Sequence, residues 1–254
     1  MIRYSVLSSG SCGNSYVFEC DGQSILVDAG LSFKQLQMRL QAGGYDLASV
    51  QALFLTHLHP DHAHCAGTFS RRTHLPVYVS KKCRLHAGTE YMALNLPEES
   101  ERVIEVGDIV QSGPFSVSCF YTSHDSAGSC GYIISVCGRV FMIITDTGVV
   151  NSQMIADARN ADVLFLESNY DVQMLRHGPY PLRLQRRVAG EKGHLSNDQA
   201  RSFLLDAGFH ESGKPVYLIH LSDNNNSPSV VLEAMCGFNA FVCARGCQYN
   251  FECP

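Results

Sequence analysis

Short apolar runs closed by polar or turn residues recur along the chain, with stretches of helical spacing between them. Tyr4 to Leu7, Ser15 to Cys20 and Ser24 to Asp28 read as strands, and Asp21-Gly22 marks a hairpin turn. Apolar positions at helical spacing cover Phe33 to Ala42 and stop at Gly43-Gly44. Strand Ala52 to Thr56 is followed by strand Val77 to Ser80, a helix predicted over Lys81 to Leu94, and a strand-rich region from Arg102 to Thr145. Helices and strands then alternate: helix Ser152 to Arg159, strand Val163 to Glu167, helices Pro181 to Ala189 and Ser196 to Ala207, and strand Val216 to His220. A helix from Pro228 and a final strand Ala240 to Ala244 close this pattern.

One stretch echoes another. Tyr16-Val17-Phe18, Gly22 and Ile25 to Gly30 match Tyr132-Ile133-Ile134, Gly138 and Ile143 to Gly148, each a hairpin whose second strand ends in Asp-x-Gly. Two related halves packed sheet on sheet with helices outside predict an α/β (α+β) four-layer αββα sandwich. Nothing resembling a linker divides the chain, so residues 1–254 read as one domain.

Composition narrows the class. No apolar run reaches the roughly 18 to 20 residues of a membrane helix, and the first residues read as a strand, without the apolar stretch of a secretory signal. The 11 cysteines are odd in number and irregularly spaced, which predicts free thiols in a reducing cytoplasm. Cys243, Cys247 and Cys253 lack the paired spacing of a structural metal site and read as buried or inert thiols. A net charge of −5 argues against coating nucleic acid, yet leaves open a nuclease whose ions supply local positive charge.

The chemistry concentrates in His57-Leu58-His59-Pro60-Asp61-His62, directly after Ala52-Leu53-Phe54-Leu55. Imidazoles and a carboxylate suit zinc and its neighbours. His57 and His59 can converge on one ion, while the adjacent Asp61 and His62 point differently and suit a second. A two-metal centre needs about six to eight ligands, and three more candidates end apolar runs: His124, Asp146 and His220. Strand Val163 to Leu166 ends in Glu167-Ser168-Asn169, and Ser196-x-x-Gln199 reads as a capping box that sets His194 just before a helix N-terminus, a place suited to phosphate. A carboxylate bonded to His194 would orient it to protonate a leaving alkoxide.

These residues resemble the metallo-β-lactamase superfamily, whose HxHxDH motif matches His57, His59, Asp61 and His62 without a gap. The order of motifs, from Asp28 through His124 and Asp146 to His220, is similar over nearly the full chain. The resemblance implies that His57, His59 and His124 hold one ion, Asp61, His62 and His220 the other, and Asp146 bridges. Asp28 would steady the histidine loop from behind. Two divalent ions, Zn²⁺ or Mn²⁺, are the implied cofactors.

The Glu167 and His194 arrangement looks like the tRNase Z-like phosphodiesterase branch. Leu7 to Asn14, Glu167 to Asp171, Gly193 to Asn197 and His220-Leu221-Ser222 resemble the compact bacterial nucleases of the YycJ/WalJ group, with Tyr170 standing where that group more often has histidine. The implied activity is 5′ to 3′ exonuclease action on DNA, by attack of a metal-bridged hydroxide on phosphorus. Asp61, Glu167 and His194 are the catalytic candidates. Ser9, Ser11, Asn14, Ser196, Asn197, Ser222, Arg183, Arg186 and Arg187 are the candidate substrate contacts.

Rival readings are an RNA-processing nuclease of tRNase Z type, a thioester or lactone hydrolase sharing the histidine loop, and a silent scaffold. The short span between Asp146 and His220 leaves no room for a β-CASP domain, and no glycine-rich extended arm is visible, which favours a small general nuclease. The complete ligand set argues against a silent scaffold.

Overall fold

The computed structural model describes residues 1–253. Its strands are β1 (Ile2–Ser8), β2 (Ser15–Cys20), β3 (Gln23–Val27), β4 (Val50–Phe54), β5 (Val77–Ser80), β6 (Glu101–Ile104) and β7 (Val110–Ser112). They continue with β8 (Phe115–Tyr121), β9 (Cys130–Val136), β10 (Arg139–Ile144), β11 (Val163–Glu167), β12 (Val216–Ile219), β13 (Ala240–Val242) and β14 (Tyr249–Cys253). Among the described residues they form two seven-stranded sheets, ordered β14-β1-β2-β3-β4-β5-β6 and β13-β12-β11-β10-β9-β8-β7.

Strands apolar on both faces are what a sheet covered on both sides requires. In β10, β11 and β12, the alternate residues Phe141, Ile143, Phe165, Tyr217 and Ile219 face the other sheet, where they meet Tyr4, Phe18 and Ile25. The intervening Met142, Ile144, Leu164, Leu166 and Leu218 pack with Phe203 and Leu204 of the helix Asn197–Asp206. On the first sheet Val17, Leu26 and Leu53 pack with Leu36 and Leu40 of the helix Phe33–Ala42 and with Phe69. The result is helix layer, sheet, sheet, helix layer, as the apolar pattern predicts.

The sequence echo corresponds to a topological one. β2–β3 and β9–β10 are antiparallel hairpins, and β3 and β10 each continue into three further parallel strands.

Two expectations are corrected. The helix predicted over Lys81 to Leu94 is two, Lys81–His86 and Thr89–Leu94, because Gly88 at φ 52° leaves the helical region. Strand β13 does not close the chain either: β14 follows and pairs antiparallel with β1, Phe251 opposite Tyr4. Of the later cysteines, Cys243 is buried between the sheets and Cys247 is exposed. No helix among the described residues is long and apolar enough to cross a membrane.

Candidate metal centre and active site

The carboxyl ends of the parallel strands of both sheets meet at one rim, where open α/β sheets offer a crevice for ligands. Asp28 follows β3, Thr56 and His57 follow β4, Asp146 follows β10, and His220 follows β12; Glu167 is the last residue of β11. Asp28, Asp146 and His220 adopt φ of 62°, 51° and 56°. Such left-handed backbone is uncommon outside glycine and gathers at functional sites. Pro60 opens the short helix Pro60–Ala63, which puts Asp61 and His62 on its first turn. The peptides of this loop are clamped by the first loop and by the segment after β3: Asn14 N–H donates to Asp61 O at 2.7 Å and Ala29 N–H to His62 O at 2.7 Å. Gly30 is required there, since a Cβ on it would lie 1.8 Å from Asp61 O.

Seven ligand-type side chains from both sheets converge. His57, His59 and His124 form one group, Asp61, His62 and His220 another, and His57, His62 and Asp146 a third, with ligand atoms inside each group within 4.8 Å of one another. Two atoms held about 2.0–2.1 Å from a tetrahedral ion stand roughly 3.3 Å apart. Here His59 Nδ1 and His124 Nε2 are 3.2 Å apart. His62 Nε2 and His220 Nε2 are 3.4 Å apart, and His220 Nε2 lies 3.3 Å from Asp61 Oδ2. Asp146 reaches both groups: its Oδ2 lies 3.2 Å from His62 Nε2, its Oδ1 3.5 Å from His124 Nε2. His57 Nε2 is buried with no hydrogen-bond partner among the described residues, a costly state for a ring nitrogen that a cation relieves. The donor set fits divalent metal.

The ring nitrogens turned away from this cluster are held from behind. His62 Nδ1 lies 2.7 Å from Asp28 Oδ2, His124 Nδ1 3.1 Å from Gly193 O, and His57 Nδ1 3.1 Å from Thr56 Oγ1. His220 Nδ1 lies 3.3 Å from Glu167 Oε2. Partners of this kind fix imidazole tautomers in metal sites.

The electrostatics agree. Burial lifts Asp61, but its bond to His220 and the charge of His62 hold it at about 2. Burial lowers His62, but Asp146 and Asp28 carry it up to about 10. His57, buried beside the charge of His62, is pushed well below its ordinary value. Clustered carboxylates that draw protons onto neighbouring imidazoles make a field suited to cations.

Glu167 is fully buried. Its Oε2 lies 2.8 Å from His194 Nδ1 and accepts from Asp146 N–H at 3.1 Å, while Oε1 accepts from Leu195 N–H at 2.8 Å. Burial lowers His194, and the charge of Glu167 with this bond more than reverses it. A cavity of about 320 Å³ opens over the cluster, and His194 lines it.

Residues 23–221 match the family model described as the beta-lactamase superfamily domain. The chain belongs to that superfamily. Its fold is the metallo-β-lactamase fold: the protein YhfI from Bacillus subtilis, described as having it, superposes with a TM-score of 0.74 at 19% identity, covering 99% of this chain and 100% of that one. The short form of human tRNase Z superposes at 0.62 with 20% identity, covering 87% and 93%. Among curated relatives, exodeoxyribonuclease YycJ of Bacillus anthracis is 36% identical over 225 residues, 89% of this chain and 84% of its own length. Exodeoxyribonuclease WalJ of Streptococcus pneumoniae (serotype 2, strain D39) is 34% identical over 226 residues, 88% and 83%.

Within this superfamily member, the expected substrate contacts separate sharply. Ser11, Ser222 and Arg187 line the cavity. Ser9, Asn14, Ser196 and Asn197 are buried and engaged inside the protein instead. Ser9 Oγ accepts from His220 N–H at 2.7 Å, and Asn14 Oδ1 accepts from Gly10 N–H at 2.8 Å. Ser196 caps its helix, and Asn197 Oδ1 accepts from Ser168 Oγ at 2.7 Å. Arg183 and Arg186 are exposed on the helix Leu182–Val188 and do not line the cavity. Arg187 does, its Nε 2.6 Å from Asp125 Oδ2. Sequence reasoning missed Thr56, Asp125 and the Gly193 carbonyl. Asp125 carried a signal as the residue after His124 and Gly193 as the first residue of the Gly193 to Asn197 stretch, whereas Thr56 carried none.

Proposed function

We propose that this chain is a divalent-metal-dependent phosphodiesterase, a 5′ to 3′ exonuclease on DNA, acting as one domain of residues 1–254 in the cytoplasm with two Zn²⁺ or Mn²⁺ ions. The observation that carries it is the Glu167–His194 pair at 2.8 Å beside the ligand cluster: a proton donor set where a poor leaving group departs. The relatives named exodeoxyribonucleases support DNA as the substrate, and the polarity follows the resemblance of the motif set.

His57, His59 and His124 would hold one ion, Asp61, His62 and His220 the other, with Asp146 between them. Bound there, the ions supply Lewis-acid neutralisation of phosphate charge and a nucleophile at neutral pH. Glu167 Oε2 accepts a hydrogen bond from His194 Nδ1–H and favours the imidazolium, whose Nε2 proton is donated to the departing alkoxide, leaving a neutral imidazole that keeps Nδ1–H. Burial lifts Glu167, but the charge of His194 and the bonds to His194 and His220 hold it below its ordinary value, and bonds from Asp146 N–H and Leu195 N–H fix its orientation. Arg187, held by Asp125, meets the phosphate as a preset guanidinium.

The test is purified protein with Mn²⁺ or Zn²⁺ on 5′-labelled single- and double-stranded DNA, RNA and a thioester, each with a chelator control. Metal-dependent release of nucleotides from the 5′ end of DNA is expected. Turnover of the thioester alone would overturn the reading, and turnover of RNA alone would move it to RNA processing.

A further inference from the structure

The cavity over the metal centre combines two chemistries. The divalent ions its ligand residues would hold suit a phosphate, and Ser11 and Ser222 add hydroxyls. Tyr180, Leu184 and Val188 add an apolar wall, and Tyr180 is the one phenyl-bearing side chain among the described lining residues. The chain contains no Trp.

Tyr180 is fixed from several directions. It stands in Gly178-Pro179-Tyr180-Pro181. Pro181 confines Tyr180 to extended backbone, and Pro179 has a fixed φ of its own. Gln185 Nε2 donates to Tyr180 O at 2.9 Å, and Asn224 Nδ2 to Tyr180 Oη at 3.4 Å. Gly178 sits where a Cβ would approach Met174 O to 2.5 Å, so the turn is pressed onto the preceding helix. The ring packs on a satellite cluster of Tyr170, Leu175 and Val188, yet stays only partly buried because the rest of it faces the cavity. A tyrosine serving that small core alone would have no reason to present surface to the active-site cavity.

We propose that Tyr180 is a substrate-positioning residue: its ring is the platform on which the nucleobase next to the scissile phosphate stacks. A nucleotide carries a phosphate and a planar aromatic ring within reach of each other, and so matches both walls of the cavity. Stacking is indifferent to base identity, because each base has a π-face. A ring locked by prolines loses little freedom on binding. This deepens the nuclease reading and rests on it for the reaction, though not for binding.

The test uses metal-loaded protein and a single-stranded oligonucleotide with 2-aminopurine as its 5′-terminal nucleotide or the next one, protected by phosphorothioate linkages. Wild type is expected to quench the fluorophore on binding. Tyr180→Phe should keep the quench. Tyr180→Leu, which preserves apolar contact with the satellite cluster, and Tyr180→Ala should abolish it and weaken binding roughly 5- to 100-fold. In cleavage, wild type should show a lower KM for an intact terminus than for an abasic one, and Tyr180→Leu should erase the difference with kcat little changed. Retained quenching in Tyr180→Leu, or equal losses on intact and abasic ends, overturns the proposal. Wild type that binds and quenches without cleaving sinks the nuclease reading and leaves the stacking site standing; wild type that does neither sinks both.

Discussion

Replacing His194 by alanine separates its proposed chemistry from a structural role. The side chain is 17% exposed, and its Nδ1 lies 2.8 Å from Glu167 Oε2 and 3.6 Å from Asp146 Oδ1. After His194→Ala, Glu167 keeps the N–H groups of Leu195 and Asp146, so its buried charge remains bonded. The lost charge-assisted bond is worth about 1.5–3 kcal/mol, reduced by water entering from the open side, and the protein stays folded. Loss of a positioned general acid costs roughly 10²- to 10⁴-fold in rate, about 3–5 kcal/mol of barrier. That cost applies only where the leaving oxygen needs a proton. The assay compares kcat on single-stranded DNA with kcat on a p-nitrophenyl phosphodiester, whose leaving group departs unprotonated, and measures bound metal by elemental analysis. The expected result is a hundredfold or larger loss on DNA, less than tenfold on the nitrophenyl ester, and unchanged metal content. Equal losses on the two substrates would refute the acid role, and loss of metal would recast His194 as a ligand.

Asp28→Asn should weaken metal binding about 10- to 100-fold, because the buried carboxylate supports His62 Nδ1 at 2.7 Å and accepts from Thr56 N–H at 2.8 Å; calorimetric titration of metal-free protein checks this, and unchanged affinity would contradict it. Burial pushes the Cys65, Cys83 and Cys243 thiols up to about 12, so at pH 8 roughly one in 10⁴ is thiolate. Alkylation of native protein followed by peptide mass spectrometry should leave these three unmodified while the exposed Cys12, Cys236 and Cys247 react; modification of Cys243 in folded protein would refute its placement between the sheets. Phe165→Ala should cost about 3–5 kcal/mol in urea denaturation, since the ring is fully buried among Tyr4, Tyr16, Phe18 and Tyr217 of both sheets. A cost below 1 kcal/mol would mean that the sheets do not share this core.

The layered fold is legible because β10, β11 and β12 are covered on both faces and so read as unbroken apolar runs, and ligand-type residues stand out at their polar ends. β14 is hidden: its residues alternate between half-buried and exposed, and its partner β1 is far from it in sequence, so no local pattern announces the pairing. The positions of Asp61 and His62 follow from Pro60, which starts a helix whose first turn brings Asp61 Oδ2 and His62 Nε2 to 3.6 Å. Small polar residues are the hard class. Ser9 and Ser11 share one loop, yet Ser9 holds the His220 backbone while Ser11 faces the cavity, and only the three-dimensional neighbours tell a peptide support from a ligand contact. Thr56 is invisible for the same reason.

The duplicated hairpins explain why the site lies where it does. Asp28 after β3 and Asp146 after β10 hold equivalent places in the two halves, and both reach His62, Asp28 at Nδ1 and Asp146 at Nε2. One imidazole is therefore gripped on both nitrogens by carboxylates from opposite sheets. Asp28 is sealed in at full burial, so it acts through His62, whereas Asp146 faces the cavity. The remaining ligand candidates divide the same way: His57, His59 and Asp61 come from the first sheet's loops, His124 and His220 from the second's. Divalent ions held by both sets would bind the folded sandwich in preference to the unfolded chain, so metal would add stability by mass action, about 4 kcal/mol at a free concentration a thousandfold above Kd. Metal binding at this site would then be coupled to the packing of the two sheets, and a substitution that loosens the seam, such as Phe165→Ala, should lower metal affinity without touching a ligand.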